Sequence, residues 1–140
     1  MPPPWALLGL TSALFAALVA IFGKLGVDKV DPVAATMARA LIMAAATSIA
    51  AVGTGAVSEL GGVGGRAWTF IVLSGLAGAA SWLAYFAALR SGQAGAVAGL
   101  DRLSVAFVVV IAALFLGESL SVAKVVGAAL MVGGALLIAR

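Results

Sequence analysis

Two ionisable residues, Arg39 and Asp101, interrupt long apolar runs, and they are the residues of this sequence best suited to chemistry. Arg39 lies about six residues beyond the start of its run, and Asp101 lies about seven residues into another, so each falls roughly 10 Å deep along a helix. A charge inside a membrane-length apolar helix costs about 2.5–3.5 kcal/mol on insertion scales. The pair therefore indicates either a structural ion pair between two helices or a functional site, and both interpretations stay open.

Two further bases, Lys24 and Arg102, are predicted at a similar depth to Arg39 and Asp101. Their long side chains can reach the lipid headgroups while the stems stay in hydrocarbon, which is the simpler interpretation of both. Asp101 is too short to do this. The four charges together predict a mostly basic layer near one membrane surface, which favours anionic or zwitterionic solutes.

Asp101 and Arg102 are adjacent, so they point to different faces of one helix. Asp101 shares its face with Ser104, and we expect that face to line a polar cavity in which protonation of Asp101 couples to solute movement. Arg102 shares its face with Gly95 and Gly99, a spacing that lets another helix approach closely.

The third apolar run carries Gly75, Gly78, Trp82 and Tyr85 at helical spacings of three and four. The glycines are predicted to pack against another helix. An aromatic pair beside a basic layer would suit an amphipathic solute or a cation. The alternative is ordinary helix packing for Trp82 and an interfacial position for Tyr85.

The last apolar run carries three glycines, Gly127, Gly133 and Gly134, on an otherwise featureless helix. Small residues on such a helix are typical of close helix packing or dimerisation rather than chemistry.

The elements that must position these residues are five apolar runs, each roughly long enough to cross about 30 Å of hydrocarbon as a helix. Hydrophobic residues make up 64% of the 140 residues and charged residues 9%, and mean hydropathy is +1.25. The sequence predicts an all-α, polytopic membrane helix bundle of five transmembrane helices in a single domain, 1–140. The predicted spans are residues 5–22, 33–52, 68–89, 94–116 and 122–139.

Composition excludes several kinds of site. The chain has no cysteine and no histidine, so it offers neither a thiolate nor an imidazole metal ligand, and we expect no metal and no cofactor. No cluster of acids, His or Cys and no Ser with a base appears at workable spacing, which argues against an enzyme. The net charge of +3 comes from bases near helix ends, where membrane proteins place them, so we expect no nucleic-acid partner. The stretch Met1-Pro2-Pro3-Pro4 lacks the basic start of a cleavable signal peptide.

The distribution of basic residues predicts an orientation. Six bases lie on the side reached after the first span and two on the other side, or four and two when Arg39 and Arg102 are left out. The positive-inside rule then places the N-terminus outside and the C-terminus in the cytoplasm. The six are Lys24, Lys29, Arg39, Arg90, Arg102 and Arg140, and the two are Arg66 and Lys124.

Three stretches occur in a specific order along the chain. They are Gly23 to Gly26 with Ala34 to Arg39; Leu73 to Gly75 with Ser81 to Phe86; and Leu100 to Ser104 with Phe115 to Glu118 and Gly127 to Gly133. Together they resemble the EamA domain of the drug/metabolite transporter superfamily. The resemblance implies a five-helix repeat, of which larger relatives fuse two in opposite orientation around a central cavity. It identifies this chain as similar to the half-size bacterial or archaeal type.

The resemblance also implies an activity, the movement of small metabolites or drugs across the inner membrane, but no set of catalytic residues. Related small multidrug resistance proteins couple transport to protons through a glutamate in the first helix. The first span here has no acid, so that mechanism does not transfer.

The leading hypothesis is a transporter in the lipid bilayer that works by alternating access as a homodimer or with a related half-size partner. An inverted dimer conflicts with the basic bias, so a parallel dimer, an inverted dimer and a partner of opposite topology all stay open. The alternatives are a flippase of a lipid-linked intermediate, an accessory subunit of a larger membrane complex, and a channel.

Overall fold

Six α-helices and one 3₁₀ helix account for most of residues 3–140, which are the residues that the computed structural model describes. Met1 and Pro2, which belong to the predicted domain and to the stretch that argues against a signal peptide, lie outside the described residues. No strand occurs within residues 3–140. The α-helices are α1 (Pro4–Val27), α2 (Pro32–Thr54), α3 (Gly65–Ser91), α4 (Ala94–Asp101), α5 (Leu103–Phe115) and α6 (Val122–Ile138), and the 3₁₀ helix is Ala56–Gly62.

The prediction of an all-α, polytopic membrane bundle is confirmed. Within the described residues, four segments are long and apolar enough to cross a membrane: α1, α2, α3 and the segment Ala94–Phe115, which joins α4 and α5. The fifth apolar helix, α6, is shorter at 17 residues, or about 25 Å. Large apolar side chains such as Ile49 and Leu130 are exposed along these helices, as expected where lipid is the solvent.

The helix ends follow local chemistry. Pro32 occupies the first turn of α2, and the Asp31 carboxylate accepts hydrogen bonds from the backbone N–H groups of Val33 at 2.9 Å and Ala34 at 3.2 Å. At the other end of α2, Gly55 adopts φ 74°, a left-handed conformation that glycine reaches without strain. The Ser121 hydroxyl caps α6 by accepting from the Lys124 N–H at 3.2 Å.

The span predicted over residues 94–116 corresponds to the apolar segment Ala94–Phe115, and within this segment the α-helix is interrupted at Arg102. The Arg102 N–H bonds to the carbonyls of Ala98 at 3.3 Å and Gly99 at 3.1 Å, and the Val105 N–H bonds to the Arg102 carbonyl at 3.1 Å. Bonds to the third preceding residue tighten the turn into 3₁₀ geometry, which ends α4 and begins α5. The apolar segment is continuous, but the helix is not.

The chain divides into two compact units. The second unit, Gly26–Arg90, holds α2, the 3₁₀ helix and almost all of α3, and its most buried side chains are Val27, Phe86 and Leu89. The first unit consists of the described residues up to Leu25 together with Ser91–Arg140, and in it α6 packs against both α4 and α5. Ala112 and Ala135 are buried there. The candidate site residues are divided between the units: Arg39 belongs to the second unit and Asp101 to the first.

Candidate solute-binding site

A cavity of about 310 Å³ lies in the second unit, between α2 and α3. This volume is at the lower end of the range of about 300–1,000 Å³ that is typical of small-molecule sites. Its walls are mostly small or apolar, and they include the two predicted site residues Arg39 and Trp82. The lining residues are Thr36, Arg39, Ala40, Met43, Gly75, Gly78, Ala79 and Trp82.

Helical periodicity explains why these residues meet. The α2 residues lie at positions i, i+3, i+4 and i+7 counted from Thr36, and the α3 residues lie at the same four positions counted from Gly75. Residues at this spacing form one stripe on a helix. Each helix therefore contributes one continuous stripe to the cavity, and small side chains along both stripes leave the space open.

The Arg39 guanidinium lies over the indole of Trp82, with Cζ 3.4 Å from the ring centroid. Phe86 is the next aromatic ring, 5.8 Å from the same atom. The Trp82 ring in turn meets Tyr85 and Phe86 edge-on, with centroid separations of 5.5 and 5.9 Å. The aromatic cluster thus fixes the indole, and the indole face holds the guanidinium as a cation–π pair.

The guanidinium keeps unused hydrogen-bonding capacity. Within Gly26–Arg90, all of which the structure describes, Arg39 has no hydrogen bond and no ion pair. A cation–π contact contributes about 0.5–2 kcal/mol of stabilisation. Placing an arginine in a membrane span costs about 2.5–3.5 kcal/mol, so the contact offsets only part of this cost. The remainder leaves Arg39 with a strong tendency to bind an acceptor.

None of the eight lining residues carries a carboxylate. The hydroxyl of Thr36 donates to the Pro32 carbonyl at 2.7 Å, so its proton is engaged within α2. Asp31 caps the N-terminus of α2 and lies 4.0 Å from the Arg90 guanidinium, and it does not line the cavity. Among these eight described residues, Arg39 is the one with an ionised side chain.

The structure places the other predicted polar residues in the first unit. The Lys24 ammonium group donates to the Gly92 carbonyl at 2.9 Å, in the turn before α4. Asp101 is half-buried at the end of α4, Arg102 is exposed at the helix interruption, and Ser104 is exposed in the first turn of α5. The predicted pairing of Arg39 with Asp101 joins residues of different units and stays a prediction.

The predicted packing glycines fall into two groups. Gly99 lies against α6, where a Cβ would meet the Ile138 side chain at 3.4 Å and the Ala135 carbonyl at 3.6 Å. A Cβ at each of the others would meet open space within the described residues, and two of these line the cavity. The others are Gly75, Gly78, Gly95, Gly127, Gly133 and Gly134.

Sequence reasoning missed five residues of this site. They are the lining residues Thr36, Ala40, Met43 and Ala79, and Phe86, which supports Trp82. The signal was present in the second span, because Thr36 and Met43 share the helical stripe of Arg39. It was weak because small and apolar residues occur on every face of that span.

Comparison with known proteins gives two matches. The sequence profile of the EamA-like transporter family matches residues 3–140. A protein of a Sinorhizobium species, named as an uncharacterized transporter in the cobO 3′ region, is 42% identical over 139 residues, which cover 99% of each chain. No solved structure matches this chain.

Proposed function

Because the chain belongs to the EamA-like transporter family, we propose that it carries a small metabolite or drug-like solute across the inner membrane and that the cavity between α2 and α3 binds this solute. One observation supports the choice of cavity. A guanidinium without a hydrogen-bond acceptor in its own unit lies 3.4 Å over an indole at the wall of an otherwise apolar space of about 310 Å³. A few polar groups in an apolar cavity are typical of small-molecule sites.

Transport by this protein proceeds by alternating access in a dimer. Secondary transporters bind their solute near the interface of two structural repeats, which move relative to each other. Residues 3–140 hold four membrane-length segments and one shorter apolar helix, which together provide one such repeat. The second repeat comes from another copy of the chain or from a related half-size partner.

Coupling to protons involves Asp101. This residue stands at the end of α4, next to the helix interruption at Arg102, and it is half-buried. A charged aspartate in an apolar span raises the free energy of conformations that bury it in hydrocarbon. Protonation of Asp101 would therefore favour those conformations. We expect Asp101→Asn to abolish the dependence of uptake on a pH gradient, and an unchanged dependence would exclude this role.

The direct test is solute uptake into vesicles that contain the purified protein alone. A panel of radiolabelled amino acids, organic acids, sugars and aromatic cations covers the main classes of small metabolite and drug. We expect saturable uptake of at least one member, and at least a tenfold loss in Arg39→Gln. Arg66→Gln is the matched control, since Arg66 is exposed at the start of α3 and outside the cavity.

Two results would contradict the proposal. If folded protein gives no saturable uptake across the panel and co-purifies with another membrane protein, the chain is an accessory subunit and not a self-sufficient carrier. If uptake is saturable but Arg39→Gln and the Arg66→Gln control behave alike, the solute binds elsewhere.

A further inference from the structure

We propose that the cavity between α2 and α3 selects an oxyanion, such as a carboxylate, sulfonate or phosphate, that carries a small apolar body. This inference rests on the proposed function, because it names the class of solute that the same site binds. It depends on three features of the cavity: the charge of its lining, the occupied face of Trp82, and the chemistry of the remaining walls.

The charge of the lining is positive. Arg39 is the single ionised residue among the eight that line the cavity. Asp31 lies outside the lining and is engaged with the N-terminal amides of α2. A cationic solute would therefore meet a like charge in this lining, whereas an anion would neutralise it.

The face of Trp82 is already occupied. Sites for quaternary ammonium compounds use open aromatic faces to hold the cation. Here the Arg39 guanidinium takes that position at 3.4 Å, so an external cation would have to displace it. The sequence suggests Trp82 as part of a pocket for a cation. In the structure, Trp82 instead holds Arg39, whose charge repels cations.

The free donors of Arg39 suit an oxyanion. A cation–π contact uses the charge of the guanidinium and leaves its N–H groups available. A planar guanidinium binds the two oxygens of a carboxylate, sulfonate or phosphate through paired hydrogen bonds. The rest of the lining offers few polar atoms, because Ala40, Met43 and Ala79 are apolar and glycine adds no side chain. An apolar body fits that part of the space.

An oxyanion with an apolar body can come from two sources in a membrane: a free solute, or a lipid, whose headgroup carries the phosphate. Arg39 lies seven residues beyond Pro32, the first residue of α2, or about 10 Å along the helix. This position is within reach of both sources. Both are oxyanions with apolar parts, and the experiment separates them.

The test uses Trp82 as its own reporter. Trp5→Phe and Trp68→Phe leave Trp82 as the single tryptophan of the three in the chain. Purified protein is titrated in a phosphate-free detergent with three probes of similar size: benzenesulfonate, benzenesulfonamide and phenyltrimethylammonium. We expect a saturable change of Trp82 emission with benzenesulfonate at a concentration at least tenfold lower than with the neutral or the cationic probe.

Variants assign the preference to Arg39. Arg39→Gln should remove it, Arg39→Lys should keep the preference with weaker binding, and Arg66→Gln should bind like the parent. Gly78→Leu, which fills the cavity while Arg39 is retained, should also abolish the response. If Arg39→Gln does not fold, as judged by gel filtration and circular dichroism, the Arg39→Lys and Gly78→Leu variants decide the outcome.

Lipid distinguishes the two sources. If phosphatidylglycerol added to the detergent changes Trp82 emission by itself and competes with benzenesulfonate, a lipid phosphate is the occupant. If benzenesulfonate binding is unaffected by phosphatidylglycerol, the occupant is a free solute. Both results support an oxyanion site.

Three results would overturn the inference: equal affinity for the three probes, preference for phenyltrimethylammonium, or a benzenesulfonate response that survives Arg39→Gln in folded protein. They differ from failure of the proposed function. Selective benzenesulfonate binding without uptake of any solute would reject transport and retain the oxyanion site. Saturable uptake restricted to cations would retain transport and reject the oxyanion.

Discussion

The Cζ atom of Arg39 on α2 lies 3.4 Å from the centroid of the Trp82 ring on α3. This contact joins two features that look separate in the sequence, a base in the second span and an aromatic residue in the third. It explains how the second span tolerates a charge, because the indole face supplies part of the stabilisation that water would otherwise give. It also places that charge at the wall of a cavity.

Substitution of Trp82 tests the contribution of this contact to stability. Trp82→Leu removes the cation–π pair and the edge-on contacts with Tyr85 and Phe86. We expect a loss of about 1–3 kcal/mol, since each kind of aromatic contact is worth roughly 0.5–2 kcal/mol. Trp82→Phe keeps an aromatic face and should lose less than half as much. The free energy of unfolding, from denaturation in mixed detergent followed by circular dichroism, measures both.

The matched control is Trp68→Leu, at an exposed position in the first part of α3. It should cost less than Trp82→Leu. Equal losses for Trp82→Leu and Trp82→Phe would show that ring volume rather than the aromatic face stabilises this region.

Gly78 distinguishes a cavity from a packed helix interface. A Cβ at this position meets nothing within 4 Å, so Gly78→Ala should fold at least as well as the parent and gain up to about 1 kcal/mol from helix propensity. Gly78→Leu should also fold but should lower saturable solute uptake at least tenfold, because the side chain enters the cavity. Uptake and unfolding measured on the same preparations separate the two effects.

Gly53, near the end of α2, is the control for the added side chain. A Cβ there also meets nothing within 4 Å, and the residue does not line the cavity, so Gly53→Leu should leave uptake unchanged. Loss of folding in Gly78→Ala would mean that α3 packs closely at Gly78, as the sequence first suggests.

Much of the fold is predictable from the sequence because lipid demands long apolar helices. The predicted span 33–52 corresponds to α2, and the predicted span 122–139 to α6, within two residues at each end. The interruption at Arg102 was not predictable, because Leu103 and the residues after it continue the apolar pattern. A change from α-helical to 3₁₀ hydrogen bonds over one turn has no distinct signature in hydropathy.

The candidate site is predictable in part. Arg39 stands out because charges are rare in spans, and Trp82 stands out on the glycine stripe of the third span. Their contact does not follow from the sequence, since the rotation of α2 and α3 about their axes depends on packing. Phe86 illustrates the difficulty: it is buried beside Trp82, yet an apolar residue in an apolar span carries no signal of its role.

Gly99 is the position where a larger residue should disturb helix packing. A Cβ there would lie 3.4 Å from the Ile138 side chain of α6. Gly99→Leu should therefore destabilise the protein by about 1–3 kcal/mol through overpacking. Gly95→Leu, one turn earlier on α4 and facing open space, should cost much less. Unfolding in mixed detergent compares the two variants.

A double mutant identifies the partner. Ile138→Ala creates room beside Gly99, so the combination with Gly99→Leu should be less destabilised than the sum of the single changes, by about 0.5–3 kcal/mol. Strict additivity would mean that the leucine is resisted by another part of the chain.

Asp31 separates helix capping from ion pairing. Its carboxylate accepts two backbone N–H bonds at the start of α2 and lies 4.0 Å from the exposed Arg90 guanidinium. Asp31→Asn keeps a side-chain oxygen for the cap and should lose less than about 1 kcal/mol, the usual worth of an exposed ion pair. Asp31→Ala removes both and should lose about 0.5–2 kcal/mol more than Asp31→Asn because of the missing cap. The same unfolding measurement serves, and equal losses would assign the whole effect to the ion pair with Arg90.

A topology measurement tests whether the fifth apolar helix, α6, spans the membrane. It determines on which side of the membrane the residues before and after α6 lie. At 17 residues it reaches about 25 Å, short of the roughly 30 Å hydrocarbon core, so it spans only if the bilayer thins or Arg140 extends to the headgroups. Reporter fusions after Ser119 and after Arg140 lie on either side of α6. With five spans and the N-terminus outside, alkaline phosphatase should be active after Ser119 and fluorescent protein after Arg140. Both reporters indicating one side would reduce the chain to four spans, and equal signals for both reporters at each position would demonstrate insertion in both orientations, as an inverted dimer requires.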